Sequence, residues 1–134
     1  MKRIAPLLLA TALLASPAFA AGGEKKQSGS ESFMPMVGLS SGVSTAFTFA
    51  GILTVDAGLD IPDPKVRSRA EGLQPRLRDA MRAELSEYSA NLYRAGHIPD
   101  ADLIKRRLQR GVDRVMGEGE AEVLLMAVIA HRPR

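Results

Sequence analysis

The sequence predicts an α+β domain: a small antiparallel or mixed sheet of about three strands, with two helices packed on one face. Three observations predict it. Between Phe47 and Ile61 apolar residues fall on alternate positions, the period of a strand with one buried face. Two later stretches carry apolar residues at spacings of three and four, which marks a helix with a buried stripe. Near the C-terminus, Val123 to Ala130 (VLLMAVIA) is apolar on both faces and only eight residues long, which suits a central strand.

Each element follows in chain order. Phe33 to Leu39 reads as a short strand, kept to a sheet edge or a strand start by Pro35. Ser40-Ser41-Gly42 reads as a turn. The long strand then places Phe47, Phe49, Gly51, Leu53, Val55, Ala57, Leu59 and Ile61 on one face, and Ala50-Gly51 marks a bulge or bend within it. Pro62-Asp63-Pro64 ends that strand. Asp63 caps a helix and Pro64 occupies its first turn. Its stripe is Val66, Ala70, Leu73, Leu77, Met81, Leu85, Tyr88 and Leu92. Gly72 and Pro75 lie inside the stripe without breaking its phase, so one kinked helix is expected. After the connection at Arg94 to Pro99, Asp100 caps a second helix with Leu103, Ile104, Leu108, Val112, Val115 and Met116 on its apolar face, and Gly117 stops it.

The N-terminus sets the compartment. Lys2 and Arg3 precede an apolar run from Ile4 to Ala15, and Ala18-Phe19-Ala20 supplies a small-x-small cleavage site. The run is shorter than the about 20 residues a spanning helix needs. Residues 1–20 are therefore expected to be a signal peptide cleaved after Ala20, 21–32 a flexible Gly/Ser/charged leader, and 33–134 a single periplasmic or secreted domain. Loss of Lys2 and Arg3 lowers the basic count from 18 to 16 against 15 acidic side chains, a net charge of about +1 that selects no partner. The chain has no Cys, which excludes thiol chemistry, thiolate metal sites and Cys-linked lipid.

No residue cluster names a reaction. Gly38-Leu39-Ser40-Ser41-Gly42 matches the G-x-S-x-G nucleophile-elbow pattern. That motif works by exposing its Ser on a strand-to-helix turn, and here strand follows on both sides. A small serine hydrolase centred on Ser40 is the weakest of the functional alternatives. His97 and His131 are the only imidazoles and lack metal-ligand spacing. Asp56, Asp60 and Asp63, with Glu118, Glu120 and Glu122, follow no calcium-loop pattern and read as solvated surface. No cofactor and no metal are expected.

The cationic helix faces are the candidate docking residues: Arg67, Arg69, Arg76 and Arg78 on the first helix, Arg106, Arg107 and Arg110 on the second. Guanidinium favours fork-like contacts with carboxylate or phosphate. Acidic protein surfaces and anionic headgroups are the partners this chemistry fits. Nucleic acid is excluded by the compartment and by the small aromatic surface.

The order of elements is also informative. The stretch ILTVDAGLDIPDPKVRSRAEGLQPRLRDAMRAEL, followed by LIKRRLQRGVDRVMGEGEAEVLLMAVIA, resembles the periplasmic domain of the FliL family of flagellar basal-body-associated proteins. Leu73-Gln74-Pro75-Arg76-Leu77-Arg78-Asp79 is similar to that family's Pro–Arg helix segment, and Val115-Met116-Gly117 to its second helix ending. The likeness runs from about Ile52 to Ala130 and implies a stomatin/SPFH-like fold, ring-forming assembly near the flagellar stator and no enzyme activity. The family keeps a transmembrane helix where this chain carries an export signal, so a soluble exported form is implied. The combined expectation is a non-enzymatic periplasmic interaction or scaffold module, working on an envelope protein complex or on itself. A membrane-surface or ligand-binding envelope protein is the alternative.

Overall fold

The alternation over 47–61 becomes the central strand of the sheet. A computed structural model describes residues 31–133. The expected signal peptide and most of the leader lie outside the described residues. In chain order the elements are β1 (Phe33–Thr45), β2 (Thr48–Asp60), α1 (Pro64–Gly72), α2 (Gln74–Asn91), α3 (Ala101–Met116) and β3 (Glu122–His131). The sheet order is β1-β2-β3 with both pairings antiparallel. The α+β class therefore holds, with helices packed against an open three-stranded sheet.

Sequence periodicity explains the core. Leu53, Val55, Ala57 and Leu59 of β2 are buried, and they face Leu77, Met81, Leu85 and Tyr88 of α2 and Ile104, Leu108 and Val112 of α3 in one apolar cluster. Helix α2 lies mainly over β1 and α3 over β3, so the seam between the helices runs above β2. Asp63 caps α1 by accepting from the Lys65 N–H at 2.8 Å, and Asp100 caps α3 by accepting from the Leu103 N–H at 2.9 Å.

Three expectations about the elements need correction. The single kinked helix is two: α1 ends at Gly72 and α2 starts at Gln74, with Leu73 at φ −100° and ψ 5° between them. Pro75 offers no N–H and its ring crowds the carbonyl four residues back, so three helices result where two are expected. Ser40-Ser41-Gly42 is not a turn but mid-strand, because Leu39, Ser41 and Val43 all point into the core. The chain turns instead at Ala46-Phe47, both in the left-handed region at φ 44° and 69°, with Thr45 opposite Thr48. Finally, β3 is an edge strand rather than a central one.

Three bulges set which side chains face which way. Opposite Asp56, β1 spends two residues, Val37 and Gly38; Gly38 sits at φ 72°, and its N–H donates to Asp56 Oδ1 at 2.7 Å. Glycine adopts this conformation without the penalty a side chain carries. The second bulge, at Ala50, moves Phe49 onto the sheet face away from the helices. The third is Met126, the extra residue of β3 where β2 runs from Asp56 to Ala57.

Candidate functional site

One sheet face is covered by helices and the other is bare. The register places Ser40, Gly42, Phe49, Ile52, Thr54, Asp56, Leu124, Ala127 and Ile129 on that bare face. Phe49, Ile52, Leu124 and Ile129 on this face, with the bulge residues Val37 and Met126, are between 37 and 54 % exposed, so all three strands carry large exposed apolar side chains. Phe47, at the hairpin tip, is fully exposed. An antiparallel sheet with one solvated face normally alternates apolar-in with polar-out; β3 does not. Between the ends of the sheet, Asp56 is the one charged side chain on this face among the described residues, and it already accepts the Gly38 N–H. The ends carry Asp60 beside Glu122 and, at the opposite limit of β3, His131.

The helix side is electrostatically different. Glu84 of α2 is buried and draws three guanidiniums from α3: Arg107 at 3.6 Å, Arg110 at 3.1 Å, and Arg114 in the closest contact. Arg107 Nε is buried with no hydrogen-bond partner among the described residues. The helices can approach here because Gly111 faces α2: a Cβ at that position would lie 3.0 Å from the Ala80 carbonyl oxygen and 3.2 Å from Glu84 Cγ. A second polar contact joins sheet to helix, where Ser41 Oγ lies 2.6 Å from Ser89 Oγ and 3.3 Å from Ser86 Oγ.

The seven candidate arginines do not form one surface. Arg67 donates to the carbonyls of Glu31 and Ile61, Arg69 to the Met116 carbonyl at 3.1 Å, and Arg78 to the Val37 carbonyl at 2.8 Å. These contacts tie α1 to the chain flanking the sheet end and to the end of α3, and α2 to the bulge of β1. Arg107 and Arg110 belong to the Glu84 cluster. Arg76 and Arg106 are exposed and make no side-chain hydrogen bond or ion pair among the described residues, but they lie on different helices. Arg82, likewise exposed and without such a bond, is a third such cation.

Ser40 sits in the middle of β1 with its side chain on the bare face, so the strand-to-helix turn of a nucleophile elbow is not formed there. His97 lies in the loop after α2 and His131 ends β3, both exposed. Among the described residues no three His, Asp or Glu side chains come together as a metal site, and no helix is long and apolar enough to cross a membrane.

No protein-family profile and no curated protein matches this chain. The surfaces themselves are therefore what the functional reading rests on. The bare apolar face escapes a strand-by-strand sequence reading because bulges at Ala50 and Met126 reassign Phe49, Ala127 and Ile129 to it. The signal that points to it is the two-sided apolarity of VLLMAVIA.

Proposed function

We propose that this chain is a non-enzymatic interaction or scaffold module of the cell envelope that docks through the bare face of its sheet. The observation that carries the reading is that the large apolar side chains Phe49, Ile52, Leu124 and Ile129, with the bulge residues Val37 and Met126, are left exposed opposite the helix layer. Exposed apolar surface of this kind marks protein interaction sites. Export to the periplasm is supported by the N-terminal signal pattern. The resemblance of residues 52–130 to the FliL periplasmic domain makes a flagellar complex the first partner to test.

The test is site-specific photo-cross-linking in the cell, with the photoreactive residue replacing Phe49 on the sheet face or Arg82 on the helix face. The expected result is cross-linking to another polypeptide from position 49 and none from position 82. Motor or stator components in the position-49 product establish the flagellar association, whereas other envelope proteins establish docking without it. Products from position 82 alone would overturn the reading and move the interface to the cationic helices.

A further inference from the structure

We infer that the partner of β3 is β3 of a second copy, paired antiparallel across a two-fold axis so that two three-stranded sheets become one. This inference rests on the interaction-module reading and adds a second contact, between copies, at the edge of the same sheet. It starts from an inconsistency: VLLMAVIA has the composition of a central strand, yet β3 occupies an edge. Edge strands are ordinarily blunted by Pro, Lys, charge or bulges. The other edge, β1, has Pro35 and the Gly38 bulge. From Val123 to Ala130, β3 has no Pro, no Gly and no charge, and its own bulge, at Met126, has apolar residues on both sides of it. Pairing with a second copy makes β3 central and removes the inconsistency.

The register follows from the hydrogen-bonding direction. Val123 turns its N–H away from β2, donating it to Gln109 Oε1 at 2.8 Å. Leu125, Val128 and Ala130 share the face of Val123, and in an antiparallel ladder residues of one face share that direction. Their N–H and C=O groups therefore point to the free edge. A two-fold pairing that sets Leu125 opposite Val128 of the second copy also sets Val123 opposite Ala130, Leu124 opposite Ile129 and Glu122 opposite His131. Each of these pairs joins residues of the same sheet face, as an antiparallel ladder requires. A register shifted by one residue mixes the faces. The bulge residue Met126 meets Ala127 of the second copy, so the two extra residues fall together at the axis.

Charge and cover agree with this arrangement. Glu122, beside Asp60 at one end of the strand, comes opposite His131, while the strand interior brings no like charges together. Helix α3 touches β3 at its start, through Gln109 on Val123 and Ala121 and through Lys105 on Glu122. Toward the other end its cover thins: Val123 is buried, Leu125 and Val128 are half-buried, and Ala130 is exposed. In the antiparallel pair, the covered end of one β3 lies against the uncovered end of the other, so the two α3 helices are staggered rather than opposed. Gln109 keeps the Val123 N–H, which confines the new ladder to the stretch from the Val123 carbonyl to Ala130. The contact is isologous and closes as a dimer.

The experiment uses the full chain as processed by the expressing cell, with mass measured by light scattering over a concentration series. The expected wild type is a dimer. Val128→Pro removes an N–H that β2 does not use, so it should raise the dimer dissociation constant at least about 30-fold while leaving the circular dichroism spectrum unchanged. The absence of native cysteine allows a second readout that does not depend on that variant folding. Ala127→Cys, beside the axis, should form a disulfide-linked dimer on oxidation, and Val37→Cys, on the far strand, should not. A monomer at every concentration, or cross-linking at position 37 instead of 127, overturns the inference. Such a result, together with photo-cross-links from position 49 to other proteins, leaves docking on the bare face standing without the dimer.

Discussion

At Ala46 and Phe47 two ordinary L-residues hold left-handed backbone, φ 44° and 69°. The two-residue link between Thr45 and Thr48 requires it, because the twist of the strands matches a turn with both central residues at positive φ. Each such residue costs about 1–2 kcal/mol relative to the right-handed region unless it is Gly or Asn. The double variant Ala46→Asn, Phe47→Gly should therefore stabilise the fold by about 1–2 kcal/mol, read as a melting temperature higher by about 5 °C or more. An unchanged melting temperature would show that the tip relaxes in solution. The same scale explains Ser41. Its hydroxyl is buried against Ser89, and a buried hydroxyl needs such a partner, so a Ser-Ser-Gly run that resembles a turn sits inside a strand.

At the scale of elements, the contact between α2 and α3 depends on Gly111. The helix gains about 1 kcal/mol of propensity from any Gly→Ala change, but here the new Cβ meets the backbone carbonyl of Ala80 at 3.0 Å. A larger side chain must push the helices apart and disturb the three arginines gathered on Glu84. Gly111→Leu is expected to lower the free energy of unfolding by about 1–3 kcal/mol, measured by denaturant titration. Elements of this kind were legible where one periodicity ran unbroken: β2 from Leu53 to Leu59, α2 from Leu77 to Tyr88, and α3 from Ile104 to Met116. They were illegible where one residue changes the phase. Bulges at Gly38, Ala50 and Met126 leave no composition signal strong enough to place them, and only Ala50-Gly51 was suggestive. The candidate site depended on those bulges. The cationic stripes were visible as sequence, but whether an arginine is free or is spent on a carbonyl, as Arg69 is on Met116, depends on tertiary packing.

The whole molecule is two layers with an unequal pair of surfaces. One surface is a helix layer whose cations are partly consumed by Glu84 and by backbone carbonyls. The other is a sheet face whose exposed residues are mostly apolar. The core lies between the layers, so neighbouring residues on one strand have opposite energetic roles. Ile52 and Leu53 make the sharpest comparison. Leu53 is fully buried beneath the helices, whereas Ile52 is 43 % exposed on the bare face. A lysine at position 53 would place an unpaired charge in the core, a change among the most destabilising known, at about 4 kcal/mol or more. A lysine at position 52 keeps its charge in water and loses only partial contacts, so it should cost less than about 1 kcal/mol. Thermal unfolding followed by circular dichroism separates the two: Ile52→Lys should retain a cooperative transition near that of the wild type, and Leu53→Lys should have none. Should Ile52→Lys unfold as readily as Leu53→Lys, the bare face would itself be part of the core of the folded chain, and the region available to a partner would shrink to the edge of β3.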